Sequence, residues 1–490
     1  MTLTIVGLGP GDAEDITRRA WRILQDAPRL YLRTARHPAV DALNRPFKSF
    51  DALYEGAENF DSLYETIAER VLELAAEPEG VVYAVPGHPL VGERTVTLLL
   101  ERAGEIPLEI IDGMSFIEPT LTMLGIDGIN GLQIHDAAEI AQMYHPPLNP
   151  DQPVLLAQVY SQMVASDVKL TLMNQYPDDH PVTLIHGAGS PNSRREDMPL
   201  YEIDRSEHLA HMTTLYLPPL SIASSFQQFQ ETIAHLRAPE GCPWDREQTH
   251  QSLRPHLLEE TYEVLEALDA GDLESLCEEL GDLLLQVVLH SQIAIDEGSF
   301  TMNDIIAGVN SKIIRRHPHV WGDEHASTVE ELHQIWERQK AKEKNGQGEN
   351  DKQEKQEKRE SRLDGVPAAL PALMQAEKYQ KKAADVGFDW ASIDPVLDKI
   401  FEEIEEIKAA QQNGLSHEEL TGEVGDLLFA VVNWARWLKV NPETALRETN
   451  QRFRNRFGYI EQQAMAQNRT LETMTLDEMD LLWEEAKRQQ

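Results

Sequence analysis

The sequence predicts a multidomain protein: an N-terminal α/β domain followed by two all-α helical bundle domains. Three observations carry this. Short apolar runs split by Gly and Pro fill residues 1 to about 222, helical periodicity replaces them from about 226, and the helical part repeats itself around a charged stretch. The length of 490 residues suits about three domains at roughly 150 residues each.

The α/β prediction rests on LTIVGLG, VVYAVPG, LEIIDG, PVLLAQVY and PVTLIHGAG as strands, with DITRRAWRILQ and GERTVTLLLERAG as intervening helices. Strands alternating with helices define an α/β domain, assigned to 1–222. The helical region then divides into 226–340 and 362–490 around KAKEKNGQGENDKQEKQEKRES, whose core, 341–361, is expected to be a disordered linker because it cannot bury apolar surface. The two helical segments are copies. Glu259 pairs with Glu402 at an offset of 143, Glu279 with Glu423 at 144, Asn310 with Asn450 at 140 and Trp336 with Trp483 at 147. Repeats this long indicate duplicated domains.

Composition narrows the function. A net charge of −39 argues against broad nucleic-acid binding. Cys242 and Cys277 have neither zinc spacing nor a disulfide framework. No run of about 18 apolar residues is present, so no membrane span is expected. The glycine-rich N-terminus does not read as a signal peptide. A soluble cytoplasmic protein is the expectation.

Each helical copy carries EExxE followed by ExxD: Glu259, Glu260 and Glu263 with Glu279 and Asp282, then Glu402, Glu403 and Glu406 with Glu423 and Asp426. At 100° per residue, Glu259, Glu263 and Glu266 share one side of their helix, with Glu260 at its flank. In LGDLLLQVVLH, apolar residues surround Asp282 on nearly all sides, which predicts a buried helix. Carboxylates there need cationic partners or shifted pKa values. Facing acidic helices can cage a divalent metal inside a bundle, and an all-oxygen donor set favours Mg²⁺ or Mn²⁺. A solvated acidic face is the competing reading, and for EExxE alone it is the better one; the combination with ExxD favours metal.

Basic helices follow each ExxD. Lys312, Arg315, Arg316 and His317 lie in the first copy and Arg452, Arg454 and Arg456 in the second. Arginine grips phosphate oxygens with a two-pronged fork, and Asn310 and Asn450 can add hydrogen bonds. Trp336 and Trp483 suit core packing better than base stacking. In the α/β domain, three tight loops follow apolar strands: Gly7, Gly9, Pro10, Gly11 and Asp12; Pro86, Gly87, His88 and Pro89; and Gly113, Ser115 and Phe116. Glycines permit close backbone approach to a ligand, although the pattern is not the GxGxxG dinucleotide fingerprint. His88 shows no acidic partner in the sequence.

Residues 226–490, through CPWDREQTHQSLRPHLLEETYEVLEAL, EELGDLLLQVVLH, RRHPHVWG, VGFDW and EEIEEI…GEVGDLLFAVVNWAR…NQRFRNRF, strongly resemble MazG-type nucleoside triphosphate pyrophosphohydrolases. The resemblance implies helical bundles, usually dimeric, that cleave a nucleoside triphosphate to the monophosphate and pyrophosphate. It implies Mg²⁺ on Glu260, Glu263, Glu279 and Asp282, and on Glu403, Glu406, Glu423 and Asp426. The hydrolysis it implies leaves Glu259 or Glu402 to orient or deprotonate the attacking water. Asn310, Lys312, Arg315, Arg316, Asn450, Arg452 and Arg456 are the expected substrate-binding set. Only the first copy has HPH after its basic cluster; the second has Phe457 and Gly458.

Residues 1–220, through VGLGPGD, PGHP, DGMSF and PVTLIHGAGSPNSR, resemble the tetrapyrrole (corrin/porphyrin) methyltransferase family. That likeness implies a methyltransferase-like domain of two α/β subdomains holding S-adenosylmethionine near Pro10, Gly87, Ser115 and Phe116. Two departures are His88 where the family often has Asp, and TTLYLPP in the last strand. The whole reads as a fusion of the two families. Two other readings stand beside hydrolysis: a nucleotide-sensing module without turnover, and a methyltransferase with a helical dimerisation scaffold.

Overall fold

The structure, a computed structural model, describes residues 1–54, 60–346, 361–412 and 416–489. It forms two compact units, Met1–Glu247 and Gln248–Gln490. Strands are numbered along the chain, as are helices of eight residues or more.

The first unit contains two five-stranded sheets. One is wholly parallel, built from β1 (Leu3–Gly7), β2 (Leu30–Leu32), β3 (Lys48–Ser49), β4 (Val81–Val85) and β5 (Leu108–Ile111) in the order β3-β2-β4-β1-β5. Side-chain alternation divides its strands between two cores. Leu3, Ile5, Val81, Tyr83 and Val85 meet α2 (Phe60–Ala76) and α3 (Arg94–Arg102) on one face. Val6, Val82 and Ala84 meet Ala20 and Leu24 of α1 (Arg18–Asp26) on the other. Burial on both faces explains why these strands read as continuous apolar runs. Helix α1 starts where the Thr17 hydroxyl accepts from the Ala20 N–H at 3.1 Å, an ordinary N-cap.

Helix α4 (Ile117–Leu124) leads to the second sheet: β6 (Gln133–Asp136), β7 (Val154–Ala157), β8 (Pro181–His186), β9 (Arg194–Pro199) and β10 (Thr213–Leu217). Their order is β6-β7-β10-β8-β9, and only β6 and β7 run parallel. Its core joins Val154, Leu156, Val182, Leu184, Leu215 and Leu217 to Val164, Ala165, Val168 and Leu172 of α5 (Gln162–Leu172). The apolar runs marked β1, β4, β5, β7 and β8, and the family resemblance marked TTLYLPP as the last strand, β10; β2, β3, β6 and β9 went undetected. The outermost strand β9 reads RREDMP, with no apolar alternation to detect. Helix α6 (Phe226–Arg237) follows, anchored where Asp151 accepts from the Ser224 and Ser225 N–H groups.

The second unit is helical. Its first half contains α7 (Arg254–Ala270), α8 (Leu273–Asp296), α9 (Met302–Arg316) and α10 (Val329–Gly346). Its second half contains α11 (Ala372–Ala384), α12 (Asp394–Gln412), α13 (His417–Trp437), α14 (Pro442–Ala466) and α15 (Leu476–Gln489). Helix α10 extends to Gly346, into the stretch read from sequence as a linker over 341–361; residues 347–360 of that stretch lie outside the described residues. Among the described residues no helix is long and apolar enough to cross a membrane.

Candidate active site in two acidic helix hairpins

Helices α7 and α8 are joined by Gly271 and Asp272. Gly271 has a φ of +68°, the left-handed value that ends a helix at little cost for glycine. Asp272 then caps α8 by accepting from the Glu274 and Ser275 N–H groups. So tight a turn folds the helices back on each other and fixes their register. Glu263 and Glu279 stand eight residues either side of Gly271, and Glu260 and Asp282 eleven. One carboxylate oxygen from each of Glu260, Glu263 and Glu279 falls within 4.8 Å of the others. Asp282 is near enough to act electrostatically on Glu260. Desolvation, then repulsion from Asp282 and Glu263, raises the pKa of Glu260; desolvation, then Glu263, Glu278 and Asp282, raises that of Glu279.

The second hairpin, α12 with α13, repeats the arrangement. Glu403, Glu406 and Glu423 bring one oxygen each within 4.8 Å. Residues 413–415 lie outside the described residues, and α13 opens with Ser416 and Glu419 in a reciprocal capping box. Glu406 is raised by desolvation and by Glu403 and Glu423. A cation stands beside the second group of acids. Lys399 Nζ stands 2.7 Å from Glu403 and 3.1 Å from Glu402, and its pKa is raised chiefly by its bond to Glu403. The corresponding first-half residue is His256, which lies 3.6 Å from Glu259, outside the triad. Neither neighbour was singled out from the sequence, although each sits one turn before its EExxE.

The expectation that ExxD lies on a buried helix is corrected. Asp282 and Asp426 are exposed, and Glu279 and Glu423 half-buried. Leu280 and Leu284 on α8 and Leu428 and Phe429 on α13 are also exposed. An all-round apolar pattern marks a helix that suits a covered environment, and among the described residues nothing covers those faces. Glu403 is the exception among the acids, at 4% exposed.

The basic helices hold their arginines in other networks. Arg315 and Arg316 both donate to Glu343 of α10, at 2.9 and 2.6 Å, and these bonds pull the Glu343 carboxyl down to about 2. Arg316 also lies over the Trp336 ring and Arg456 over Trp483. The paired tryptophans therefore serve as partners for the basic helices, a role between core packing and base stacking. Arg452 approaches Glu448 and Thr449 in its own helix. Asn310, Lys312 and Asn450 are exposed. Helix α9 packs on α10 and also against α8, the helix of Glu279 and Asp282.

In the α/β unit the three glycine loops converge at the ends of β1, β4 and β5. A side-chain carbon on Gly7 would stand 2.5 Å from the Gly87 carbonyl oxygen and 2.7 Å from the Gly113 Cα; only bare backbone fits. Gly87 has a φ of +66°. Pro10 meets Gly189 of the second sheet, and the Asp12 N–H donates to the Gly189 carbonyl, which ties the two sheets together at this point. Buried Ser115 donates its N–H and hydroxyl to Glu118 at 2.9 and 2.6 Å, and Phe116 is half-buried. Burial lowers His37, beside Gly9, to about 4. His88 does have an acidic neighbour, Asp112 at 3.7 Å, brought there by the sheet rather than by sequence spacing.

Comparison with known proteins follows this division. A family model for the MazG nucleotide pyrophosphohydrolase domain matches 248–321, and one for tetrapyrrole (corrin/porphyrin) methylases matches 2–204. The protein is therefore a fusion of a tetrapyrrole-methylase-type α/β domain with a MazG-type helical part. The nucleoside triphosphate pyrophosphohydrolase of Escherichia coli (strain K12) is 44% identical over 53% of this chain and 95% of its own length. The crystal structure of uroporphyrin-III-C-methyltransferase from Thermus thermophilus covers 44% of this chain and 94% of its own, at 22% identity and a TM-score of 0.37. The YabN protein of Bacillus subtilis (strain 168) is 43% identical over 99% of this chain and 98% of its own length. The chain belongs to the YabN family.

Raised carboxyl pKa values favour the folded state where the groups are protonated, and that contribution is lost as pH rises through them. A divalent cation relieves the same repulsion. Mg²⁺ is expected to raise the melting temperature by a few degrees at about pH 7.5 and by less at about pH 5, where protons compete for the same oxygens. Glu260→Gln with Glu406→Gln should diminish the gain, and scanning calorimetry over both pH values measures it.

Proposed function

We propose that the helical part is a Mg²⁺-dependent nucleoside triphosphate pyrophosphohydrolase, converting NTP and water to NMP and diphosphate. The observation that carries this reading is the pair of carboxylate triads, each within 4.8 Å, held together by hairpins against their mutual repulsion. An all-oxygen donor set of this kind fits Mg²⁺, and the E. coli relative bears the name of the activity. Glu260, Glu263 and Glu279, with Asp282 beside them, would hold the metal in the first half; Glu403, Glu406 and Glu423, with Asp426, in the second. When bound, Mg²⁺ neutralises the phosphates and polarises the α-phosphorus centre. We assign Glu259 and Glu402, exposed at the margins of the triads, to orient the water and accept its proton as the water oxygen bonds to α-phosphorus and diphosphate departs. The basic set Asn310, Lys312, Arg315, Arg316, Asn450, Arg452 and Arg456 is proposed to bind substrate, with Glu343 as the group Arg315 and Arg316 exchange for phosphate.

Pyrophosphate release measured over a panel of standard and damaged NTPs tests this. Glu260→Ala with Glu403→Ala should lower release by about 100-fold or more, and full activity of the double variant would exclude the assigned sites.

We propose further that the α/β domain holds S-adenosylmethionine at the loops of Pro10, Gly87, Ser115 and Phe116, for transfer to an acceptor. The backbone cradle of Gly7, Gly87 and Gly113 is the supporting feature. Calorimetric titration with S-adenosylmethionine should show one site per chain, and no heat of binding would remove the cofactor from the proposal. The helical domains are assigned a homodimer interface, supported by the uncovered Leu280, Leu284, Leu428 and Val431, and the exposed Cys277 suits the reducing cytoplasm. Sedimentation should give a dimer that Leu284→Glu with Leu428→Glu shifts toward monomer; an unshifted dimer would relocate the interface.

A further inference from the structure

The two helical halves are linked by a pair of contacts that duplication did not create. Arg447 on α14 lies 2.7 Å from Asp269 on α7, both side chains under one-third exposed. Arg454, seven residues along the same stripe of α14, lies 3.2 Å from Glu266 on α7. The sequence order of these pairs makes the helices antiparallel. At the repeat offsets, Arg447 and Arg454 correspond to Ala307 and Ile314, and Glu266 and Asp269 correspond to Ala409 and Gln412. No second-half acid mirrors the contact, so it runs in one direction: second-half arginines onto the first-half acidic helix.

The two pairs differ in what they can do. Arg447 and Asp269 are sheltered and anchor α14 against the end of α7. Arg454 and Glu266 are 74% and 68% exposed, and an ion pair in such contact with water contributes little to stability. Glu266 is one helical turn from Glu263 of the first triad, a rise of about 4.5 Å, and on the same side of the helix. A guanidinium there can leave one carboxylate for the fork geometry and greater charge of a phosphate.

Resting on the hydrolase reading, we infer that Arg454 of the second half binds the triphosphate held at the first-half triad, so that the first site is shared between the halves. Arg447 positions it. The first half's own Arg315 and Arg316 bind phosphate only after leaving Glu343 on α10, whereas Arg454 already lies on the triad's helix. The first half is then incomplete without the second.

The test uses the full chain carrying Glu403→Gln and Glu406→Gln, which disables the second triad, and calorimetric titration with α,β-methylene-ATP and Mg²⁺. Arg454→Ala should weaken binding about tenfold or more. Arg454→Lys, which keeps the charge and loses the fork, should fall between the two, with an unchanged melting temperature in both. Equal affinity of Arg454→Ala and its parent overturns the inference. So does a parent that binds no analogue although the unsubstituted chain releases pyrophosphate. Absence of pyrophosphate release from the unsubstituted chain is the separate failure of the hydrolase reading.

Discussion

Carboxylates facing one another across a helix hairpin are the constraint around which the second unit is organised. Left to themselves, Glu260, Glu263 and Glu279 would separate into water. The apolar contacts of α7 with α8, and the turn at Gly271 and Asp272, hold them at a spacing that repulsion opposes. The fold has already overcome the cost of gathering like charges, and the proposed cation site rests on that feature. Moving the turn by one residue would rotate each acid by about 100° and dissolve the triad.

The halves have diverged in the charges that surround this shared core. Lys399 sits among the second-half acids and meets the almost fully buried Glu403, whose charge would otherwise be costly. The matching first-half residue is His256, beside Glu259, and positive charge reaches that acidic helix from α14 as well. One copy carries its counter-charge in the same helix, the other receives it from the neighbouring half. The two hairpins are alike in their acids and unequal in the charges around them.

Much of this could be read from the amino acids. Five strands were visible as apolar runs because each has at least one face in a core, and the triads were visible because the hairpin is local: helix period plus a short turn places Glu263 opposite Glu279. What escaped detection depends on distant partners. β9 earns its place through pairing with β8 and through Thr183, whose hydroxyl donates to Asp197 at 2.7 Å. The exposure of Asp282 could not be inferred because hydrophobicity reports what a surface prefers to touch, not whether the same chain covers it. Contacts such as Arg316 with Glu343 or Arg447 with Asp269 bridge loops and halves, and no spacing rule encodes them.

The charged strand β9 has a consequence for how copies of this protein meet. It forms an outer edge of the second sheet and, among the described residues, pairs on one side only, with β8. Unpaired strand edges invite other strands, and a charged run such as Arg194, Arg195, Glu196 and Asp197 discourages that addition. Arg195 is already engaged with Asp197, and Arg194 with Glu196, so the edge is clothed in its own ion pairs. Growth of this sheet into a neighbouring molecule is thereby disfavoured at β9, in contrast to the exposed apolar residues of α8 and α13.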